Sequence, residues 1–204
     1  MKVIYRQTQL YKFLNYCNEI NLEKNILDCG AGGNCPPLAL FLEYGYKTYG
    51  IEISHSQIEM AKTFSKEHNV ELNISKGDIR ELPFEDKSIS YIYSYNTIFH
   101  MKKEDIAKAI DEIKRVLRPG GICFINFLSI NDCRYGHGDK LGEGEFLQSE
   151  GDEKVIHTYY DSEEAETHFI DMKILFKENR ILERIYEGKK IKQGYIDYIV
   201  QKNN

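Results

Sequence analysis

Tryptophan is absent from this sequence, proline is rare with four residues among 204, and the five cysteines are scattered and odd in number. Two of the cysteines fall within predicted β-strands, and none of the spacings matches the paired spacing of zinc ligands. We therefore expect reduced thiols with mostly structural roles, and no metal site. The cysteines are Cys17, Cys29, Cys35, Cys123 and Cys133.

A long apolar run is also missing from residues 1–20. Lys2, Lys12 and Glu19 are among the charged residues that interrupt its apolar positions, so this segment resembles neither a signal peptide nor a membrane-spanning helix. We expect an intracellular, cytoplasmic protein that does not associate with membranes. The net charge of −5 disfavours a general surface for polyanions, so we do not expect nucleic acid as a partner.

The composition fits one domain of ordinary size. With 42% hydrophobic and 29% charged residues, the chain can bury a sizeable core, and no internal repeat is apparent. We expect residues 1–204 to form a single domain. Nothing in the sequence indicates the oligomeric state.

Apolar runs and amphipathic segments alternate along the chain, a pattern typical of a parallel sheet covered by helices. We predict an α/β fold with a doubly wound, mostly parallel seven-stranded sheet, helices on both faces and a C-terminal antiparallel hairpin. The predicted strands are Asn25–Cys29, Lys47–Ile51, Leu72–Lys76, Ile89–Ser94, Ile122–Leu128, Arg180–Tyr186 and Gly194–Gln201. The predicted helices cover 5–20, 34–44, 55–68 and 102–117, with a short helix that begins at Ser162.

This regular alternation stops after the fifth strand. Residues 129–160 contain five glycines and many charges, which indicates an excursion over the ligand-binding edge of the sheet. We expect this segment to act as a substrate lid together with the N-terminal helix. Its glycine content predicts mobility in the absence of ligand.

The segment Ile26–Asn34 carries the strongest functional signal. A short apolar run ends at Asp28 and then breaks into glycines, as a strand does when it leads into a nucleotide-binding turn. Glu52 ends the next predicted strand, twenty positions after Gly32, where ribose hydroxyls would need an acceptor. The two features together predict a ligand site at the carboxyl ends of the strands.

From about Ile26 to Phe127 the sequence resembles the class I S-adenosylmethionine-dependent methyltransferases. Ile26–Gly32 resembles the first motif of this family and Gly50–Ser54 the second. The third motif is matched by Gly77–Phe84, and Arg115–Gly121 resembles the turn into the fifth strand. Asn34 stands where the family often has a third glycine; since asparagine tolerates unusual backbone angles and caps helices, we expect a local adjustment there.

A dinucleotide-binding dehydrogenase would also combine glycines after strand one with an acid at the end of strand two. Asp28 argues against this class, because a carboxylate close to a pyrophosphate would repel it, whereas it would attract the ammonium group of an amino acid. The dehydrogenase class also leaves Asp78 and the Arg-Pro-Gly-Gly element at 118–121 unexplained.

The resemblance implies that S-adenosylmethionine is the cofactor, with S-adenosylhomocysteine as product. Gly30 and Gly32 would contact its methionine part through their backbone, with Asn34 in the same turn. Asp28 would favour the ammonium group directly or through water. Glu52 would accept hydrogen bonds from the ribose hydroxyls, although it could instead cap the next helix.

The adenine and sulfonium contacts are implied in the same way. Asp78 would meet the adenine amino group, with the backbone of Ile79 beside it, although Asp78 could also be a simple turn acid. Ile53 would pack on the adenine face. Ser94 or Tyr95, at the end of strand four, would contribute backbone contacts near the sulfonium.

A general base becomes useful when the methyl acceptor carries a proton of high pKa. The candidates are His100 after strand four, and Tyr135 and His137 in the excursion, with His157 and the tyrosines at 159 and 160 further along. A packed or solvated histidine is an equal alternative for His100, and a solvated loop is the alternative for residues 135–140.

We expect methyl transfer to a nucleophilic oxygen, nitrogen, sulfur or carbon of a small molecule. About 100 residues span the motifs, and the short remaining segments offer little surface dedicated to a macromolecule. A protein or RNA methyltransferase, a nicotinamide-dinucleotide-dependent dehydrogenase and a non-catalytic S-adenosylmethionine-binding protein remain alternatives.

Overall fold

The computed structural model describes residues 8–204, so the predicted helix start at residues 5–7 lies outside the described residues. Within this part of the chain the α-helices are α1 Thr8–Glu19, α2 Leu38–Glu43, α3 His55–His68, α4 Lys103–Val116 and α5 Ser162–Glu166. The strands are β1 Asn25–Cys29, β2 Lys47–Glu52, β3 Ile74–Lys76, β4 Ile89–Ser94, β5 Leu117–Ser129, β6 Asp139–Gly142, β7 Glu145–Glu150, β8 Glu153–Tyr160, β9 Met172–Tyr186 and β10 Lys189–Lys202. Short 3-10 helices lie at Ile98–His100 and Thr167–Phe169.

Seven strands form the central sheet in the order β3-β2-β1-β4-β5-β10-β9. The first five are parallel, and β10 and β9 close the sheet as an antiparallel hairpin. Every residue of β1 and β4 is buried, as expected of parallel strands that are covered on both faces. The predicted fold class is therefore confirmed. The strand order reverses beside β1, which is where open α/β sheets bind ligands.

Several predicted boundaries were wrong: β5 begins at Leu117 and not at Ile122, and β9 begins at Met172 and not at Arg180. Two further differences have identifiable reasons. The second helix begins at Leu38 and not at Asn34, because Pro36 and Pro37 disfavour helical angles in the residues before them. Strand β3 is only three residues long and begins at Ile74, because Asn73 has the left-handed angle φ = 53°. Ser54 caps α3 as its position indicates, since its side chain accepts a hydrogen bond from the Gln57 N–H.

Helix α1 packs on one face of the sheet. The ring of Phe13 lies 5.9–6.3 Å from the rings of Phe41, Tyr93 and Phe124, and its side chain is completely buried. These contacts make α1 a core element. Within residues 8–204, the N-terminal helix is therefore part of the core and not of a lid, and a lid formed by residues 129–160 remains a prediction.

The excursion at 129–160 is an antiparallel meander of β6, β7 and β8, which sequence reasoning did not identify. Its last strand also pairs in parallel with the end of β5, at Leu128 and Ser129. Strand β10 pairs with one edge of β5. On the other edge the pairing with β4 ends at Ser94, so β8 can pair with the remaining residues of β5 there. The meander therefore lies beyond the carboxyl end of β4. Its mobility without ligand remains a prediction.

No helix among residues 8–204 is both long and apolar enough to cross a bilayer. The five cysteines are all free thiols; Cys35 and Cys133 are exposed and the other three are buried.

We expect Phe13→Ala to lower the free energy of unfolding by about 3–5 kcal/mol, because it leaves a cavity between α1 and the sheet. Tyr11→Ala, on the exposed face of the same helix, should cost less than about 1 kcal/mol. Urea denaturation monitored by circular dichroism measures both. Equal small losses would contradict the core position of α1.

Candidate functional site

A cavity of about 330 Å³ lies at the carboxyl edge of the sheet; we call it the edge cavity. The segments that follow four neighbouring strands meet there: Gly30 after β1, Glu52 and Ile53 at the end of β2, Asp78 to Arg80 after β3, and Thr97 to Lys102 after β4. Helix α4 adds Asp105 and the meander adds Ile156. The structure thus brings five of the ten predicted cofactor residues into one cavity wall, namely Gly30, Glu52, Ile53, Asp78 and Ile79.

The glycine turn requires glycine at two positions. Gly30 has the left-handed angle φ = 112°, and a Cβ atom there would lie 2.2 Å from Oγ1 of Thr97. At Gly32 a Cβ atom would lie 2.4 Å from Cβ of Gln57 and 3.0 Å from Oε2 of Glu52. The turn therefore packs directly on the segments after β2 and β4. Asn34, also in this turn, is exposed and lies outside the cavity lining.

Glu52 is positioned by its own turn. Its Oε1 accepts a hydrogen bond from the Ser54 N–H at 2.8 Å, and Oε2 faces Gly32. The side chain thus braces the start of α3 with one oxygen and keeps the other beside the glycine turn. Both readings of this residue, a brace for the helix and a ribose acceptor, are compatible with that geometry.

Asp78 already has a partner in the same cavity wall. Nε of Arg80 donates to both of its carboxylate oxygens at 3.0 Å, and Arg80 also pairs with Asp105 at 3.1 Å. The guanidinium lowers the pKa of Asp78 through these hydrogen bonds. Sequence reasoning missed Arg80 and Asp105, because a contact between a turn and a distant helix leaves no local signal. An adenine amino group would have to share Asp78 with Arg80.

Asp28 ends β1 as a buried carboxyl group. It is 2% exposed, and its Oδ2 atom is buried without a hydrogen-bond partner. Burial raises its pKa to about 8; a hydrogen bond with the Tyr93 side chain opposes this rise and the charge of Glu52 adds to it. At neutral pH the folded protein therefore favours protonated Asp28. A cation nearby would favour the ionised form.

Ser94 and Tyr95 lie beside the edge cavity and not in its lining. Oγ of Ser94 donates to the carbonyl of Cys29 at 3.0 Å and so joins β4 to β1. The ring of Tyr95 packs against Phe124 in the core, 5.9 Å between centroids. Both side chains are used structurally, and their backbone contacts to a cofactor remain a prediction.

A second cavity of about 230 Å³ lies between the meander and the hairpin of β9 and β10; we call it the meander cavity. His100 lines both cavities. Its Nδ1 atom lies 3.3 Å from the carbonyl oxygen of Ile156. Because a carbonyl only accepts, Nδ1 carries the proton and Nε2 is left with a lone pair. Burial, with a contribution from His157, lowers the pKa of His100.

Two of the predicted bases, His137 and Tyr135, lie outside both cavity linings. His137 is exposed on a turn of the meander, and its carbonyl accepts a hydrogen bond from Gln148. Tyr135 is 37% exposed and packs edge-on against Phe146 and Tyr159. Of the six candidates, only His100 lines the edge cavity, while His157 and Tyr159 line the meander cavity alone.

The meander cavity contains His157, one of the candidate bases, together with Glu150 and Arg134, which sequence reasoning did not single out. His157 is 4% exposed, and its Nε2 atom lies 3.0 Å from Oε1 of Glu150, which also pairs with Arg134 at 3.3 Å. The rings of His157 and His100 meet edge-on, 4.9 Å apart.

Asn126 fixes the segment that carries His100. Its Oδ1 accepts from the Asn96 N–H and its Nδ2 donates to Asn96 Oδ1, both at 2.7 Å. Asn96 has the left-handed angle φ = 56°, which this pair holds in place. An amide within the apolar run of β5 was the available sequence signal.

No group of three or more histidine, cysteine, aspartate or glutamate side chains suited to a metal ion occurs among residues 8–204. The site is built instead from backbone turns, single carboxylates and imidazoles.

Asp28→Asn should stabilise the protein increasingly as pH rises. The wild-type group binds its proton in the folded state up to about pH 8 but releases it near 4 when unfolded, so stability falls with rising pH in that window. The amide does not titrate. We expect the free energy of unfolding of the variant, relative to wild type, to be roughly 2 kcal/mol or more higher at pH 8 than at pH 5, measured by urea denaturation. Asp152→Asn, on an exposed turn, is the control; equal pH profiles for Asp28→Asn and wild type would contradict this burial cost.

Comparison with known proteins agrees with the resemblance found in the sequence motifs. Residues 27–125 match the family model described as a methyltransferase domain. An uncharacterized methyltransferase of Bacillus subtilis, YcgJ, is 33% identical over 104 residues, which are 50% of this chain and 40% of that protein. The chain thus spans well under two thirds of the length of this curated relative.

Solved structures share the whole fold. A SAM-dependent methyltransferase from Methanosarcina mazei covers 99% of both chains with a TM-score of 0.74 at 23% identity. Burkholderia thailandensis 1,6-didemethyltoxoflavin-N1-methyltransferase, solved with its substrate and S-adenosylhomocysteine, covers 97% of this chain and 79% of its own, with a TM-score of 0.68 at 12% identity. Residues 27–125 therefore belong to the methyltransferase-domain family, and the strand order and the solved structures show that the chain has the fold of the class I S-adenosylmethionine-dependent methyltransferases.

Proposed function

We propose that this protein transfers a methyl group from S-adenosylmethionine to a nucleophilic atom of a small molecule. The observation that carries the proposal is the convergence of Gly30, Glu52 and Asp78 on one cavity of about 330 Å³ at the carboxyl edge of a parallel sheet. These residues come from three different motifs and are far apart in the sequence. Their meeting at the switch in strand order is the arrangement that a nucleoside ligand requires.

The residues of the edge cavity fit the parts of this cofactor. Glu52 offers a carboxylate oxygen for the ribose hydroxyls, and Ile53 and Ile79 offer apolar surface for the adenine ring. Buried Asp28, whose Oδ2 atom has no hydrogen-bond partner, is suited to the ammonium group, directly or through water. A cationic ligand would satisfy an atom that the protein alone leaves without a hydrogen bond.

Bound S-adenosylmethionine supplies an activated methyl group: an acceptor nucleophile bonds to the methyl carbon while the carbon–sulfur bond breaks, which leaves S-adenosylhomocysteine. The protein's part is to orient the reactants and to remove a proton where the nucleophile bears one. The lone pair on Nε2 of His100 is suited to remove this proton, because His100 lines both the edge cavity and the meander cavity.

The size and position of the meander cavity favour a small acceptor. It adjoins the edge cavity at His100 and is bounded by the meander and by β10, so it is suited to a metabolite more than to a folded macromolecule. The toxoflavin-precursor methyltransferase named above likewise acts on a small molecule. A protein or RNA acceptor would need a groove that leads from the edge cavity to the surface.

Calorimetric titration tests the cofactor assignment. The wild-type protein should bind S-adenosylmethionine and S-adenosylhomocysteine but not NAD. Glu52→Ala should weaken the binding of S-adenosylhomocysteine by about tenfold to a hundredfold, the effect of losing hydrogen bonds to a charged group. Glu52→Gln keeps an acceptor for the Ser54 N–H and should lie between.

Glu67→Ala, an exposed acid on α3, is the matched control and should bind like wild type. Binding of NAD alone would support a dehydrogenase instead. Unchanged S-adenosylhomocysteine affinity in Glu52→Ala would remove Glu52 from the site. Binding without release of S-adenosylhomocysteine over a broad acceptor panel would favour a non-catalytic binding protein.

A further inference from the structure

The meander cavity contains two imidazole lone pairs whose partners are missing from the described protein. Nδ1 of His100 is committed to the Ile156 carbonyl, so Nε2 is the free acceptor. Nε2 of His157 is committed to Glu150 at 3.0 Å, which leaves Nδ1 as an acceptor that is buried and makes no hydrogen bond. The two rings are 4.9 Å apart between centroids. Both residues line the meander cavity: His100 has its free Nε2, and His157 has its buried Nδ1 on the ring that meets His100 edge-on.

Both imidazoles are held in the neutral form that has a lone pair. Burial lowers the pKa of His157, and the nearby carboxylate of Glu150 only partly opposes this. Burial also lowers the pKa of His100. A buried acceptor without a donor costs free energy, so this pair is matched to a ligand that brings donors.

The charged side chains that line the cavity already have hydrogen-bond partners. Arg134 donates to Glu150 and to the carbonyl of Ser149. Asp132 accepts from the backbone N–H groups of Arg134 and Gly194, at 2.8 and 2.9 Å. The two carboxylates in the lining, Asp132 and Glu150, outnumber its single guanidinium, which disfavours an anionic ligand.

Aromatic side chains form much of the remaining wall. Phe99 and Tyr195 line the cavity with ring centroids 6.4 Å apart, and Tyr159 adds a third ring. The hydroxyl of Tyr159 is committed to Gln148 at 3.0 Å, so this residue offers mainly its ring. Flat apolar surfaces of this kind favour a planar ring as ligand.

We propose that the meander cavity binds the methyl acceptor, and that the acceptor is an uncharged aromatic ring with two O–H or N–H donors on neighbouring or next-neighbouring ring atoms. One donor bonds to Nε2 of His100, beside the edge cavity, and is the group that is methylated. The other bonds to Nδ1 of His157, which makes His157 a positioning and specificity residue. This inference rests on the proposed methyltransferase function.

Binding of simple probes to the full chain tests it. Benzene-1,2-diol, benzene-1,3-diol, phenol and benzoate are titrated by ligand-observed NMR, with and without S-adenosylhomocysteine. We expect one of the diols to bind about threefold to tenfold tighter than phenol, the effect of one additional neutral hydrogen bond. Benzoate should bind more weakly than phenol.

The variant His157→Leu separates a specific contact from a structural one. It should reduce the diol-to-phenol ratio to about one, while the affinities for phenol and for S-adenosylhomocysteine stay within about twofold of wild type. His55→Ala, an exposed histidine at the start of α3, should keep the wild-type ratio.

Equal binding of the diols and phenol to wild type, or a diol preference that survives in His157→Leu, would overturn the proposal. Tightest binding of benzoate would overturn it in favour of an anionic acceptor. Failure of S-adenosylhomocysteine to bind would instead refute the proposed function, and the probe titrations without it would still report on the cavity.

Discussion

The structure depends on one geometric constraint: parallel strands end at the same edge of a sheet. With β1 and β4 buried on both faces, each strand must emerge from the core there, and its next few residues must turn away over the edge. The strand order reverses beside β1, so neighbouring turns leave in opposite directions and open a crevice. The glycine turn, Glu52, Asp78 and the segment of His100 are close together for this reason alone.

The same constraint explains why a costly group lies at the site. Asp28 ends β1 inside the core, where the lack of solvent opposes its ionisation. Such a residue lowers stability at neutral pH unless a ligand supplies a cation, and it therefore links folding energetics to binding. Asn126 illustrates the opposite solution: its two hydrogen bonds with Asn96 give both the oxygen and the nitrogen of a buried amide a partner and hold the unusual backbone after β4.

The central fold could be predicted because its signals are local. The bounds of β1 and β4 matched the structure, since short buried runs flanked by turn residues have few other interpretations. The meander could not be predicted, because short strands separated by Gly138, Gly144 and Gly151, all at positive φ, read as a loop. Half of the predicted cofactor residues reached the edge cavity. Two contacts that modify the site join segments that are distant in sequence: Arg80 pairs with Asp105 on α4 as well as with its neighbour Asp78, and His157 of the meander contacts His100.

A crystal structure of the protein with S-adenosylhomocysteine tests the central claim most directly. We expect the adenosine in the edge cavity, with its ribose hydroxyls on Glu52, its amino-acid end toward the glycine turn and Asp28, and its sulfur facing His100. A ligand bound elsewhere, or one whose sulfur lies away from His100 and the meander cavity, would contradict it.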